Sequence, residues 1–167
     1  MAEAFLQHRL QELGVEARVH SAGLLHAGQA APAYGVDAVG GFGIDTSAHR
    51  SRRMTRDMVA DADLVVGMAR EHVREAVLLC PDAWPKTFTL KELVRRGEQA
   101  GPRARGQLLD EWLAKLHAGR RRQDALGSSP EDDVADPIGL GAEDYRRTAA
   151  EIEELVVRMV GLIWGES

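Results

Sequence analysis

The chain has 167 residues, enough for one domain that buries roughly 68–70% of its unfolded surface without disulfide or metal support. A net charge of −5 argues against nucleic-acid binding through general electrostatics, and a single cysteine, Cys80, excludes an internal disulfide framework. No apolar run approaches the roughly 20 residues of a bilayer span, and His8 and Arg9 interrupt any secretory apolar core, so the expected location is the cytoplasm, with no membrane partner.

Ala4, Phe5, Leu6, Leu10 and Leu13 give residues 1–13 an apolar stripe at helical spacing, which Gly14 ends. Residues 15–21 (VEARVHS) alternate apolar and polar and predict a strand. A Gly- and Ala-rich loop follows over 22–32, then a short helix over 34–39 stopped by Gly40, Gly41 and Gly43. Ile44 and Asp45 continue as extended chain to a basic cluster, His49 to Arg53, and Thr55 is an N-cap for a helical turn through Met58 and Val59.

The apolar run 63–68 (DLVVGM) predicts a strand buried on both faces. An amphipathic helix over 70–80 ends at Pro81 and Pro85, and 86–89 predicts a short strand. Thr89 and Glu92 form a capping box for the next helix. Gly101 and Pro102 break the chain before a further helix over 107–117. Residues 120–133 hold three consecutive arginines, then Gly, Ser and Pro, then three consecutive acids; they predict a mobile surface loop with Asp132 and Asp133 facing water. The last helix spans about 143–162, with Ile152, Leu155, Val156, Met159, Val160 and Ile163 as its inner face. Strands alternating with helices imply an α/β layer architecture around a parallel sheet. Three strands are few for so many helices, so the pattern lacks a strand.

Four segments carry a resemblance. They are Met1-Ala2-Glu3-Ala4, Val19-His20-Ser21-Ala22-Gly23, the run from Gly43 to Thr55 ending in His-x-x-Arg-x-hydrophobic-Thr, and Asp133-Val134-Ala135-Asp136-Pro137 followed by Tyr145. In this order and spacing they resemble the low-molecular-weight protein tyrosine phosphatase family (the phosphotyrosine protein phosphatase I superfamily). The resemblance covers almost the whole of a single domain, 1–167, with residues 95–122 as a helical insertion. It implies a three-layer, flavodoxin-like or Rossmann-like α/β sandwich with a short parallel sheet, whose first central strand is missing here. It also implies phosphomonoester hydrolysis through a phosphocysteine, with no metal or cofactor, on a phosphotyrosine protein or a smaller phosphoester.

The family's Cys-x5-Arg loop supplies the thiolate, amide donors for phosphate and a bidentate arginine. It stands directly before the helix that Met1-Ala2-Glu3-Ala4 matches, so this chain contains no nucleophile. The expectation is an N-terminally truncated and, as given, inactive phosphatase; the alternative is a non-catalytic pseudophosphatase acting as a binding or regulatory module. By the same resemblance Asp136 is the general acid, and Ser21 and His49 support the phosphate loop. Read from the residues alone, Asp136-Pro137 is a turn-initiating pair rather than an acid, and Arg50, Arg52 and Arg53 are a solvated face.

Cys80-Pro81-Asp82-Ala83-Trp84-Pro85-Lys86 has the length of a phosphate loop without its chemistry. Two prolines remove N–H donors, Asp82 repels phosphate and a lysine stands where arginine is needed. Cys80 therefore reads as a small apolar residue on a buried helix face. Ile138 and Gly139 follow the Asp-Pro pair where the family carries an aromatic residue, which weakens the case for phosphotyrosine selectivity. A lone cysteine also argues against the arsenate reductases of this fold, which need additional thiols.

Overall fold

The computed structural model describes residues 1–25 and 27–165. In chain order the helices are α1 (Ala2–Glu12), α2 (Ala33–Gly40), α3 (Arg56–Asp61), α4 (Arg70–Leu79), α5 (Leu90–Ala100), α6 (Leu109–His117) and α7 (Ala142–Trp164). The strands are β1 (Val65–Gly67) and β2 (Thr87–Thr89), and short 3₁₀ turns cover Pro81–Lys86 and Arg122–Ala125. The chain forms two compact units: Met1–Arg53 with Ala135–Val160, and Met54–Val134 with the residues from Gly161 on. Among the described residues no helix is long and apolar enough to cross a membrane.

The first unit is built on α1. Phe5 and Leu10 are buried, Phe5 meeting the ring of Phe42 edge-on at 5.1 Å. Arg9 reaches Glu153 of α7 at 2.6 Å. Residues 15–21 do not form the expected strand. The pattern is right, but a strand exists only when a neighbouring backbone completes its ladder, and among the described residues this segment has none. Instead the Val15 amide donates to Leu10 O at 2.9 Å, and Gln7 Nε2 donates to Val19 O at 3.1 Å. Among the described residues the first unit has only two isolated bridges, Gly23 to Arg53 parallel and Ala30 to Arg50 antiparallel.

The second unit holds the sheet. β1 and β2 run parallel in the register Val65–Thr87, Val66–Phe88 and Gly67–Thr89. Parallel neighbours require a crossover, which α4 and the turn after it provide. Gly67 makes the β1-to-α4 turn tight: a Cβ there would lie 2.9 Å from His72 Cβ. His72 repays that closeness by accepting the Ala69 amide on Nδ1 at 3.1 Å, which satisfies one donor at the start of α4. β2 is wholly buried, whereas Val65 and Val66 of β1 are only half-buried, short of the burial on both faces that the apolar run predicts. Cys80 lies in an apolar cluster with Val59, Ala76 and Ala83. Gly97 lets α5 close on α6, since a Cβ would stand 3.2 Å from Trp112.

The expected mobile loop over 120–133 is anchored at both ends. Arg120 is buried, and its guanidinium forks onto Glu92 (Nε to Oε1 2.7 Å, Nη2 to Oε2 3.0 Å). It also donates to Trp84 O at 3.2 Å and Thr87 O at 2.8 Å, and its Cζ lies 3.8 Å from the Trp84 ring and 4.0 Å from the Phe88 ring. At the other end Asp132 is buried rather than facing water. It accepts from Arg70 Nε at 2.9 Å and Arg95 Nη2 at 2.8 Å. Burial would raise its pKa, but the two arginines outweigh burial and hold it below the ordinary carboxylate range. Asp133 is half-buried and accepts the Arg70 amide at 2.8 Å. A run of charges reads as solvated until a partner of opposite sign arrives from distant sequence, and here Glu92, Arg70 and Arg95 do so. Between these anchors most of the segment stays exposed, including Arg121 to Asp124 and Leu126 to Ser128.

Two predictions follow from the Arg120 site. Arg120→Ala leaves Glu92 with Arg96 alone and lowers the unfolding free energy by about 3 kcal/mol, read as a reduced urea midpoint at unchanged slope. His117 Nδ1 lies 3.2 Å from Arg120 Nη1, and because arginine only donates, that nitrogen carries no proton. Burial, then the charges of Arg120 and Arg96, push the His117 pKa below its ordinary value of 6.5. The unfolded chain therefore takes the proton first, and the stability from this contact is full above pH 6.5 and declines as pH falls below it. The stability difference between the parent and His117→Gln, measured by denaturation from pH 8 to pH 5 (about one to two units either side of the ordinary value), should shrink towards the acid end.

Candidate active site

A cavity of about 290 Å³ opens in the first unit. Met1, Glu3 and Ala4 at the amino end of α1 form one wall, Thr46, His49 and Ser51 a second, and Asp136, Pro137, Ile138 and Tyr145 a third. The first amides of α1 have no helical partners, and the positive end of the helix dipole lies at this wall, so the cavity suits an anion.

Asp136 is exposed. Its Oδ1 accepts the Ile138 amide at 3.0 Å, an Asx turn, and its Oδ2 has no donor among the described residues. The Asp-Pro pair therefore forms a turn that engages one carboxylate oxygen and leaves the other without a donor among the described residues. Pro137 is buried, its carbonyl accepts the Leu140 amide at 2.9 Å, and Thr148 Oγ1 of α7 donates to Ala135 O at 3.4 Å. The loop carrying the carboxyl group is thus held on both sides.

Ser21 and His49 meet on a residue that the sequence did not single out for a role. Ser21 Oγ donates to Glu3 Oε2 at 2.6 Å, and His49 Nδ1 lies 3.4 Å from the same oxygen. Arg52 Nη2 stands 3.7 Å from Glu3 Oε1. Glu3 is largely withdrawn from water, with a side chain 16% exposed. It was visible as an acid in the first turn of a helix, but no local pattern says that residues 21 and 49 will reach it. His49 lines the cavity and Ser21 reaches it through Glu3. Cys80, in its apolar cluster, does not line the cavity. Among the described residues no group of three or more His, Cys, Asp or Glu side chains could hold a metal ion.

A family model, the low molecular weight phosphotyrosine protein phosphatase, matches residues 1–102. The chain belongs to this phosphatase family. Among curated relatives, the protein-arginine-phosphatase of Geobacillus stearothermophilus is 30% identical over 160 residues, covering 95% of this chain and 83% of that protein. The low molecular weight protein-tyrosine-phosphatase Etp of Escherichia coli (strain K12) is 27% identical over 108 residues, covering 64% and 70%. Among solved structures, a low molecular weight protein tyrosine phosphatase from T. tengcongensis aligns at a TM-score of 0.70 with 27% identity, over 95% of this chain and 86% of that one. The YwlE arginine phosphatase from Geobacillus stearothermophilus aligns at 0.65 with 28% identity, over 95% and 79%. Membership makes a phosphorylated protein or phosphoester the kind of substrate to consider, and makes the α/β fold with its short parallel sheet that of a phosphatase.

If Glu3 is the hub of this shell, Ser21→Ala and Glu3→Ala should not add. A double-mutant cycle in urea should return a coupling of about 1.5 kcal/mol, the worth of a hydrogen bond to a charged group.

Proposed function

We propose that this chain is the scaffold of a protein phosphatase working through a phosphocysteine, with Asp136 as general acid and the Cys-x5-Arg loop encoded upstream of Met1. The convergence of Asp136, His49 and the amino end of α1 on one anion-suited cavity carries the reading. Two features of the backbone support an upstream strand and loop. β1 leaves one apolar edge without a ladder partner among the described residues, and the alternating segment 15–21 finds no partner either. Such an edge presents unpaired N–H and C=O groups that an added strand would pair. Ser21, His49 and Glu3 would then support the loop from beneath, with work in the cytoplasm.

In the first step the thiolate attacks phosphorus, the P–O bond breaks, and Asp136 gives its proton to the leaving oxygen. In the second, the Asp136 carboxylate takes a proton from water as the water oxygen attacks the phosphocysteine, releasing phosphate and the thiolate. The free Oδ2 suits both roles.

A second substrate reading rests on the wall after the acid. Ile138 is 71% exposed where an aromatic residue would stack on a tyrosine ring, and Ala30 and Ala31 line the same cavity. With the arginine phosphatase relative at 30% identity, an aliphatic N-phosphorylated arginine side chain fits this wall as well as phosphotyrosine does. The ratio of kcat/KM for phosphoarginine and phosphotyrosine peptides, measured on the protein bearing the upstream loop, decides between them.

The 167-residue chain should not hydrolyse p-nitrophenyl phosphate. Turnover that survives Cys80→Ala would overturn this account of the nucleophile. In the loop-bearing protein Asp136→Asn should lower kcat by about 10²–10⁴ while changing stability by less than about 0.5 kcal/mol, since the residue is exposed and asparagine keeps the Asx turn. An unchanged kcat removes Asp136 from the mechanism. An in-frame stop codon directly upstream of Met1 would instead favour the pseudophosphatase.

A further inference from the structure

Arg50, Arg52 and Arg53 are exposed on the segment that forms the second wall of the cavity. The stretch from Thr46 to Thr55 holds these three arginines and no aspartate or glutamate, in a chain whose net charge is −5. The segment is rigid where the arginines leave it: Gly23 N donates to Arg52 O at 2.7 Å, Gly28 N to Ser51 O at 2.8 Å and Ser51 N to Gln29 O at 2.9 Å. The charges are therefore displayed from a preorganised ribbon beside the site.

Internal partners use up little of this charge. Glu3 is committed to Ser21 and His49, and Arg52 reaches it only at 3.7 Å. Arg50 turns one nitrogen back onto the carbonyls of Ser47 at 3.1 Å and His49 at 2.7 Å, which fixes its stem and leaves the rest of its fork exposed. Arg53 forms no ion pair among the described residues.

We propose that this arginine ribbon is a docking surface for an acidic polypeptide segment flanking the phosphorylated residue, so that the phosphatase selects sites with aspartate or glutamate nearby. The inference rests on the phosphatase reading of the cavity. Charge complementarity names the partner. The net negative chain disfavours long polyanions, and the short span of the ribbon suits a peptide better than a long nucleic acid. Two or three exposed arginine–carboxylate contacts amount to roughly a tenfold preference.

The test reads binding on the 167-residue chain by fluorescence anisotropy, using two phosphotyrosine peptides of equal length, one flanked by glutamates and one by glutamines. The glutamate peptide should bind about tenfold more tightly at about 20 mM salt, and the preference should vanish near 0.5 M, where screening is short-ranged. Arg53→Glu should abolish the preference and Arg53→Gln should reduce it. Arg105→Glu, the same charge change at another exposed position, should leave it intact. Equal binding of the two peptides overturns the proposal, as does a preference that survives Arg53→Glu in a variant whose melting curve is unchanged. Tighter binding of a single-stranded oligonucleotide than of the acidic peptide also overturns it. The phosphatase reading fails separately. A loop-bearing protein without turnover that keeps the peptide preference sinks only that reading, and turnover with equal kcat/KM for both peptides sinks only this one.

Discussion

A carboxylate withdrawn from water must find donors, and two of them organise this protein. Glu3 gathers Ser21, His49 and Arg52 from two separate stretches of the first unit. Glu92 gathers Arg120 and Arg96 in the second, with the aromatic rings of Trp84 and Phe88 closing on the guanidinium. An ion held this way contributes less net stability than its contact distances suggest, because both partners lose water. What it does supply is a unique arrangement: the segments that reach the carboxylate have one place to be. In the first unit that place is the wall of the cavity.

The sheet shows the complementary constraint. β1 and β2 are three residues each, and their pairing depends on Gly67 turning the chain closely enough for α4 to return it. One edge of β1 is left without a ladder partner among the described residues, and the alternating segment 15–21 stays out of any sheet. Both facts trace to the same physics: backbone donors and acceptors pair only with a neighbour that is present.

The cavity of the first unit and the lone cysteine lie in different surroundings. Asp136 is held by an Asx turn beside a buried proline, and Ser21 and His49 are gathered by Glu3. The lone thiol sits among Val59, Ala76 and Ala83, where an apolar environment keeps a cysteine inert. The family is legible from this shell because the shell is spread over the chain at characteristic spacing.

Local pattern in the sequence determined most of the helices. The stripe of α7 buries every residue whose spacing marked it, that of α1 buries Phe5 and Leu10 but leaves Leu13 exposed, and Thr55 and Thr89 cap α3 and α5 with their side chains. The family resemblance, not local pattern, singled out Ser21, His49 and Asp136; His49 and Asp136 line one cavity, and Ser21 is hydrogen-bonded to Glu3 in its wall. Two things were decided only by tertiary structure. One is which alternating segments become strands, since 15–21 and 87–89 differ less in pattern than in the presence of a neighbour. The other is which charges go inside. Arg120 and Asp132 read as solvent-facing because their partners lie 28 and 37 residues away in sequence, at Glu92 and Arg95. Periodicity reports on neighbours within a turn or two of chain, whereas a buried ion is defined by a partner that only the fold brings near.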